Sequence, residues 1–360
     1  MLYPIYKPYL SQIEKDLVNE CLDTNWISSK GQFIEIFEKE VAEYVKVNYA
    51  VAVCNGTVAL HLALLAHNIG INDEVILPDF TYIATANSVL YVNAVPIFCD
   101  VDLNDWNIDL SKVTEKITAK TRAIMVPNIY GNPANFEAIR KIAKKYNLVV
   151  IEDAAESLGA QYKGEMSGCL GDIATLSFFG NKTITTGEGG MVLTNDVDIY
   201  RKLLKLRNQG NSDQIRYYHD ILGYNYRMTN IQAAIGVGQM TKIEEIVERK
   251  KKIQKCYEDE LLDYVMFQRI EDDVKASHWM VSFLLEDENK RDSLMKHLGD
   301  EGIETRPFFK QISDMPFYKK AYNKNSLQLS KTGINVPSYP ELSDRDVKFI
   351  CTKIKNFLSN

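Results

Sequence analysis

The sequence lacks the features that would assign it to a membrane or nucleic-acid-binding class. No stretch of its 360 residues approaches eighteen consecutive apolar residues, so we expect no transmembrane helix. The first ten residues, MLYPIYKPYL, contain two prolines and a lysine where a secretory signal needs an apolar core, which predicts a cytoplasmic protein. The formal net charge of −6 favours neither nucleic acid nor an anionic membrane as a partner.

The sequence also lacks any clustering of its six cysteines. They form no C-x-x-C pair, and no histidine stands at metal-ligand spacing from them. This distribution favours free thiols in a reducing compartment over a disulfide framework, and it suggests no metal site. The composition, 46% hydrophobic and 25% charged, is typical of a globular protein whose length favours two domains.

Short apolar runs alternate with helical patterns between about residues 50 and 195. The runs are AVAVCN, EVILPDF, VPIFCDV, AIMVPNIYG, LVVIEDAA, IATLSFFG and GGMVLTN. Continuous apolar runs between helices indicate strands buried on both faces, hence an α/β fold with a mostly parallel seven-stranded sheet between helices. After Asn230, one long amphipathic helix or two, a strand and two further helices predict a smaller α+β domain. We therefore divide the chain into residues 1–240 and 241–360.

Several polar residues follow these runs, at the edge of the sheet where ligands bind in open α/β folds. Asn55, Gly56 and Thr57 open a helix, so they form either an ordinary helix cap or a phosphate site. Asp153 ends a buried strand, where it either caps the next helix or meets a cation or a donor. For Tyr82, packing in the core is the default interpretation, and stacking on a flat ligand is the alternative.

The stretch SFFGNKTITTGEGG, residues 177–190, places a single lysine among glycines and threonines. Lysines are rarely buried, so a surface position is the ordinary interpretation of Lys182. Its small and hydroxylated neighbours instead indicate a narrow cavity wall, where the ammonium form is disfavoured and the amine can form a Schiff base. With a phosphate site that includes Ser177, a stacking aromatic ring and a strand-end carboxylate, Lys182 completes the residues that a pyridoxal phosphate site needs.

Longer stretches resemble one family, the DegT/DnrJ/EryC1/StrS sugar-nucleotide aminotransferases, which are fold type I enzymes. The resemblance covers nearly the whole chain and is carried by WISSKGQFIEIFE, CNGTVALHLAL, DFTYIATAN, IEDAAESLGA, SFFGNKTITTGEGG, RYYHDILGYNYRMTNIQAAIG and GIETRPFFKQISDMPFY. It implies the fold type I architecture, pyridoxal 5'-phosphate as cofactor, and a homodimer with shared active sites.

The resemblance also implies roles for single residues. Lys182 would form the Schiff base and later carry the proton, Asp153 would pair with the ring nitrogen, and Tyr82 would stack on the ring. The other implied contacts are Gly56, Thr57 and Ser177 with the phosphate, Asn225 with the phosphate of a neighbouring subunit, Glu156 near the 3-hydroxyl, and Arg227, Arg306, Phe308 and Phe309 with the nucleotide-sugar.

Within the family, the stretches most resemble members that convert GDP-4-keto-6-deoxymannose to GDP-perosamine, with L-glutamate as amino donor. Such products usually feed surface polysaccharides such as O-antigen. Many relatives have histidine at the position of Asn128, and perosamine-forming members often have tyrosine at that of Lys310. A dTDP- or UDP-linked 4-keto-6-deoxy sugar therefore remains an alternative. Relatives that remove the sugar 3-hydroxyl carry histidine in place of Lys182, so its presence implies transamination.

A non-catalytic regulator that binds pyridoxal phosphate is an alternative from another class. An appended DNA-binding domain would favour it, and a match over nearly all of the chain leaves no room for one. A fold alone does not establish a function.

Overall fold

We describe residues 2–359 of a computed structural model of the chain. The α-helices in this range are α1 Gln12–Asp23, α2 Gln32–Val45, α3 Gly56–Ala66, α4 Ala84–Tyr91, α5 Leu110–Val113, α6 Phe136–Tyr146, α7 Val197–Arg207, α8 Asn230–Met240, α9 Ile243–Leu261, α10 Glu288–Asp300, α11 Lys324–Thr332 and α12 Asp344–Leu358. The strands are β1 Tyr49–Val53, β2 Glu74–Pro78, β3 Val95–Cys99, β4 Thr121–Pro127, β5 Val149–Asp153, β6 Gln161–Tyr162, β7 Glu165–Met166, β8 Ile173–Ser177, β9 Gly190–Thr194, β10 Met266–Phe267, β11 Val274–Lys275, β12 Val281–Leu284, β13 Arg306–Pro307 and β14 Gly333–Val336.

A seven-stranded sheet forms the centre of the larger part of the molecule. Its strands follow the order β1-β9-β8-β5-β4-β2-β3. Only β9 runs against its neighbours; the other pairs, from β8 across to β3, are parallel. Each predicted apolar run supplies one strand, so the mostly parallel seven-stranded α/β sheet is confirmed.

Helices cover both faces of this sheet. Successive residues of β1 alternate between two hydrophobic clusters, because strand side chains point to opposite faces. Ala50 and Ala52 pack in a cluster with α2 and α8, whereas Val51 and Val53 pack in a cluster with α3 and α4. The sheet is therefore buried on both sides, which explains why its strands are apolar throughout.

The C-terminal part forms a smaller unit around its own core. A four-stranded antiparallel sheet, in the order β10-β12-β14-β13, packs with α9, α10 and α12. The pattern after Asn230 forms two helices, α8 and α9, rather than one. The predicted division after residue 240 falls in the short turn between them and stays a prediction. Within residues 2–359, no helix combines the length and the apolar character needed to cross a membrane.

Candidate active site

A cavity of about 660 Å³ opens at the carboxyl ends of β4, β5 and β8. Residues from both parts of the chain line it, including Asp153 and Lys182 from the large sheet and Arg306 and Asn335 from the small one. This edge is where ligands bind in open α/β sheets. A second cavity of about 380 Å³ lies elsewhere, beside α2, and contains none of the predicted site residues.

Lys182 lies in the loop that joins β8 to β9. Its side chain is 12% exposed and reaches the cavity wall. The loop folds on itself: Thr185 donates through its hydroxyl to the Phe178 carbonyl, and the Lys182 amide donates to the Phe179 carbonyl. The Tyr6 hydroxyl donates to the Lys182 carbonyl at 2.6 Å. These hydrogen bonds fix the backbone of the lysine and leave its amine free.

Two carboxylates share the cavity with this amine. Glu156 Oε1 lies 3.8 Å from Lys182 Nζ, and its other oxygen accepts the Tyr130 amide at 2.9 Å. Burial raises the pKa of Glu156 to about 7, opposed by the charge of Lys182. Burial lowers the pKa of Lys182, and the charges of Glu156 and then Asp153 oppose that shift. Burial therefore shifts the pKa of the amine downwards and the pKa of the Glu156 carboxyl group upwards, towards each other.

Asp153 ends β5 and faces the same cavity. Its Oδ2 accepts the Thr85 hydroxyl at 2.8 Å, and its Oδ1 accepts the Ala155 amide at 3.2 Å. Burial raises its pKa, and these two donors, with the charge of Lys182, act in the opposite direction. The threonine comes from α4, so the carboxylate is oriented by a neighbouring element as well as by its own turn.

Gly56 and Thr57 open α3 at the cavity wall, opposite Ser177. Asn55 caps this helix by accepting the Val58 amide at 3.0 Å. A Cβ added at Gly56 would lie 2.8 Å from the Ser177 Cβ, so only glycine permits this approach. The cap interpretation is therefore observed, and the start of this helix also lines the cavity. The phosphate site stays a prediction.

Tyr82 and Phe309 stand at the mouth of the cavity with their ring centroids 5.8 Å apart. Tyr82 is 55% exposed, so it is not a core residue in the monomer. Asp79, three residues before it, is buried and accepts hydrogen bonds from the Ser313 amide, the Ser313 hydroxyl and the Gln311 side chain. This carboxylate ties the segment that follows Phe309 to the strand that precedes Tyr82.

The remaining predicted substrate residues differ in placement. Arg306 lines the cavity and pairs with Glu304 at 3.5 Å. Phe308 is 2% exposed and packs behind the wall against Trp106 and Tyr130, so its observed contribution is packing. Its predicted contact with substrate stays a prediction.

Asn225 and Arg227 lie outside the cavity lining of their own chain. Asn225 is exposed, on the segment that follows α7. Arg227 pairs through its backbone with Val53, next to the start of α3, and its Nε is buried without a hydrogen-bond partner among the described residues. Their predicted contacts with phosphate and substrate stay predictions.

The two positions that differ from the family pattern have different surroundings. The Asn128 amide donates to Glu152 Oε1 at 2.9 Å and to the hydroxyls of Ser157 and Ser167 at 3.0 Å each, and its oxygen accepts the Ala134 amide. Its polar atoms therefore stabilise a buried carboxylate. Lys310, by contrast, is exposed and outside the cavity lining.

The cavity lining also includes residues that are absent from the sequence-based set, among them Tyr130, Asn181 and Trp279. Asn181 directly precedes Lys182, and its Oδ1 is buried without a partner among the described residues. The indole Nε1 of Trp279 donates to the Asn181 carbonyl at 2.7 Å. The run HWMVSFLLE predicts only a strand, because nothing local to it shows that its tryptophan meets the loop of Lys182.

The sequence matches the DegT/DnrJ/EryC1/StrS aminotransferase family over residues 8–355. The chain belongs to this family. It is 48% identical over 359 residues to GDP-perosamine synthase of Escherichia coli O157:H7, with 99% of each chain covered. It is 42% identical over 365 residues to GDP-perosamine synthase of Vibrio cholerae, with 99% of this chain and 100% of the other covered.

Solved structures share the fold as well. GDP-4-keto-6-deoxymannose-3-dehydratase, in a variant with bound GDP-perosamine, superposes with a TM-score of 0.92 at 25% identity, covering 98% of this chain and 100% of the other. The chain is therefore a fold type I aminotransferase, as the resemblance implies, and its cofactor is pyridoxal phosphate.

The cavity fits this cofactor. A buried primary amine faces it, a carboxylate ends the neighbouring strand, and a helix begins at a glycine that cannot carry a side chain. Lys182 would hold the aldehyde carbon, Asp153 the ring nitrogen, and the first turn of α3 with Ser177 the phosphate. The roles of the individual residues are proposals, which follow below.

Proposed function

We propose that this chain transfers an amino group from L-glutamate to C4 of GDP-4-keto-6-deoxymannose, which forms GDP-perosamine and 2-oxoglutarate. The observation that carries the transamination is the buried amine of Lys182 beside two carboxylates in the large cavity. The choice of sugar is supported by 48% identity, over nearly the whole length of both chains, to a GDP-perosamine synthase.

Pyridoxal phosphate, when bound, supplies an electron-withdrawing ring that carries the amino group between the two substrates. Lys182 has two tasks around it. Its amine holds the cofactor between turnovers, and after release it moves protons. In the first half of the reaction, Lys182 would take the proton that leaves the α-carbon of glutamate and pass it to the bound cofactor, which returns the amine to its neutral form. In the second half, it would take a proton back and deliver it to C4 of the sugar.

The surroundings of Lys182 suit a group that must both accept and donate a proton. Burial lowers its pKa, so a larger fraction of the amine is unprotonated near neutral pH than in water. The charges of Glu156 and Asp153 oppose this shift and keep the ammonium form accessible. A pKa brought towards the working pH is the condition for efficient proton transfer in both directions.

Asp153 would pair with the ring nitrogen of the bound cofactor and keep a proton on it. Its carboxylate is held by Thr85 and by the Ala155 amide, and both donate to it, so they favour its ionised form. An ionised carboxylate stabilises a protonated ring nitrogen, which makes the ring a better electron acceptor. Glu156, by the resemblance, lies near the 3-hydroxyl group.

The mouth of the cavity supports a nucleotide-linked sugar as substrate. Arg306 brings a guanidinium to the lining, and this group matches the geometry and charge of a diphosphate. The rings of Phe309 and Tyr82 offer apolar faces next to it. The volume of about 660 Å³ lies within the range of small-molecule sites.

We infer that two copies of the chain share their active sites. The segment between α7 and α8 exposes several apolar side chains, namely Ile215, Tyr217, Tyr218 and Leu222, which a monomer would leave in water. Asn225 follows them and lies outside the cavity of its own chain. A partner subunit would bury these side chains and receive Asn225 at its phosphate site.

The transfer is tested by a half-reaction followed through the absorbance of the bound cofactor. The protein is converted to its amino form with glutamate, freed of excess donor, and mixed separately with GDP-, dTDP- and UDP-linked 4-keto-6-deoxy sugars. We expect only the GDP sugar to restore the original spectrum. If another sugar restores the spectrum, the protein is still a transaminase, but GDP-4-keto-6-deoxymannose is not its substrate. If glutamate leaves the spectrum unchanged, either glutamate is not the amino donor or the protein is a non-catalytic regulator that binds pyridoxal phosphate.

Shared active sites are tested by mixing two inactive variants. Lys182→Ala and Asn225→Ala each damage every site of their own homodimer. A mixed dimer of the two has one site with both native residues, so we expect random mixing to restore activity towards about a quarter of the native level. No restoration, in a mixture shown to exchange subunits, would contradict the inferred position of Asn225.

A further inference from the structure

Trp279 lies against Lys182 on the side of the small C-terminal sheet. The Lys182 Nζ stands 3.9 Å from the centroid of the indole ring, over its face. The tryptophan is 4% exposed and lines the same cavity. An ammonium group at this distance from an indole face is attracted by the negative charge of the ring's π system.

The indole is held in place by contacts that do not involve the amine. Its Nε1 donates to the Asn181 carbonyl at 2.7 Å. The Tyr130 ring stacks behind it, with centroids 6.0 Å apart and planes at 13°. The Trp279 amide donates to the Tyr130 carbonyl at 3.1 Å. The ring is therefore oriented before any charge is placed on Lys182.

The backbone that supplies this support is itself unusual. Tyr130 has φ 54° and Gly131 has φ 92°, both in the left-handed region. A Cβ added at Gly131 would meet the Trp279 amide nitrogen at 2.9 Å. The Ser277 amide donates to the Gly131 carbonyl at 3.0 Å. The chain accepts a strained turn here, and the turn fixes the tryptophan against the lysine loop.

The charged groups that face Lys182 are Glu156 and Asp153. Glu156 Oε1 is 3.8 Å away, beyond hydrogen-bond distance, and Asp153 acts only through its charge. No carboxylate among the described residues therefore traps the amine in a tight ion pair. The indole face is the other group that stabilises a positive charge at this position.

We propose that Trp279 is a positioning residue that stabilises the ammonium form of the released Lys182 amine while this amine carries the proton in each half of the reaction. The inference rests on the proposed role of Lys182 as the residue that holds the cofactor and moves the proton. A released ammonium needs stabilisation that is strong enough to keep its proton and weak enough to give it up. A tight ion pair would hold it too firmly, whereas an aromatic face attracts it without a directional bond.

The test follows the capture of added pyridoxal phosphate by the cofactor-free full-length chain between pH 6 and 10. Only the neutral amine reacts: Nζ adds to the aldehyde carbon, and one water leaves. The pH midpoint of the capture rate therefore reports the pKa of Lys182. Borohydride reduction and peptide mapping identify the lysine that has reacted.

Trp279→Leu removes the aromatic face, and Trp279→Phe keeps a smaller one. We expect the leucine variant to move the midpoint to lower pH by about 0.5–1 unit, and the phenylalanine variant to move it by less than half as much. Trp106→Leu is the matched control, because Trp106 packs on Tyr130 at 6.0 Å in the same buried cluster but does not line the cavity. It should leave the midpoint unchanged. If the leucine variant does not fold, Trp279→Met replaces it.

Four results would overturn the proposal. An unchanged midpoint in the leucine variant would show that the indole does not stabilise the ammonium. Equal shifts in the leucine and phenylalanine variants would assign the effect to the hydrogen bond from Nε1 to Asn181, which both lose. An equal shift of the midpoint in the Trp106→Leu control would show that disturbed packing of the buried aromatic cluster causes the shift, and not the loss of the indole face beside Lys182. Capture by a lysine other than Lys182 in the native chain would instead remove the proposed role of Lys182, and the inference with it.

Discussion

Two buried lysines, Lys182 and Lys250, occupy different surroundings in this molecule. Lys250 lies on α9, is 1% exposed, and donates to the Ser338 carbonyl at 3.2 Å. Burial alone lowers its pKa to about 7. Lys182 is also shifted downwards by burial, but two carboxylates oppose the shift and an aromatic face lies against the amine. Only Lys182 stands at the wall of a cavity.

Tyr6 lies between the two lysines. Its hydroxyl donates to the Lys182 carbonyl, and its ring centroid is 5.2 Å from Lys250 Nζ. His278, next to Trp279, is also buried, and burial followed by the charge of Lys250 lowers its pKa to about 4. A lowered lysine pKa therefore does not by itself identify a catalytic group. Access to a cavity and compensating charges distinguish the amine that can react.

The largest effect is expected for Lys182→Ala. Loss of the amine removes both the attachment of the cofactor and the proton carrier, so we expect turnover to fall by more than about 10⁴-fold. Cofactor binding should persist, because Asp153 and the start of α3 remain. Steady-state amino transfer and the absorbance of bound cofactor measure the two properties separately. Turnover at the native rate would remove Lys182 from its proposed role.

Asp153→Asn comes second. An amide cannot favour a proton on the ring nitrogen as a carboxylate does, so we expect the variant to bind the cofactor and to lose about 10²–10³-fold in kcat. Thr85→Val is the matched control. It removes the hydroxyl that donates to Asp153 but keeps the carboxylate, so its loss should be clearly smaller. An unimpaired Asp153→Asn variant would assign the ring contact to another group.

The two lysines also show how far the sequence predicts this site. Lys182 is recognisable because the glycines and threonines around it predict a cavity wall after a buried strand. Lys250 stands in ERKKKIQK, which resembles an exposed helix face. The apolar stripe of α9 does include it, because Ile246, Val247, Ile253 and Tyr257 fall at helical spacing on the same buried face. The signal for its burial was in the periodicity.

Other features of the site have no local signal. The seven apolar runs predict the sheet. The positions of Asp153, Gly56 and Ser177 at or just after the ends of those runs predict that they lie at its ligand-binding edge. Trp279 reaches Lys182 because the segment that precedes β12 meets the turn at Gly131, nearly 150 residues earlier in the chain. The burial of Phe308 likewise depends on its packing against Trp106 and Tyr130. Such contacts between distant segments are decided by tertiary packing, and short-range patterns do not contain them.

Lys250→Met tests the structural lysine of the pair. The folded pKa of about 7 is lower than the usual 10.5. Between these values the unfolded chain holds more protons, so the free energy of unfolding of the native protein rises with pH over this window. Methionine has no charge to bury, and we expect it to raise that free energy by about 4 kcal/mol at pH 7, with the gain shrinking towards pH 10.5. Urea unfolding at several pH values measures it.

Lys252→Met is the control for this substitution, because Lys252 is exposed on the same helix and pairs only with Glu248 at 4.0 Å. It should change the free energy of unfolding by less than about 0.5 kcal/mol. Amino transfer by Lys250→Met should stay within about two-fold of the native rate, since the side chain is not part of the lining of the active-site cavity. A large loss of activity in this variant would mean that the two lysines are coupled through Tyr6.

Glu156→Gln gives the smallest effect and examines the charge that separates Lys182 from Lys250. The folded pKa of Glu156, about 7, is higher than the usual 4.5. Between these values the native chain holds the extra proton, so its free energy of unfolding falls as the pH rises. Glutamine has no proton to lose. Between pH 4.5 and 8 we therefore expect the free energy of unfolding of the cofactor-free variant to rise by about 3 kcal/mol relative to that of the native chain.

The same substitution should act on Lys182, because Glu156 is the charge that most opposes the shift of its pKa by burial. Without it, the capture of pyridoxal phosphate should reach its midpoint at a lower pH, and the surroundings of Lys182 should become more like those of Lys250. Glu35→Gln, on the exposed side of α2, is the control and should change neither quantity. If Glu156→Gln leaves the midpoint in place, Asp153 and Trp279 alone stabilise the ammonium form, and the 3.8 Å contact contributes nothing to it.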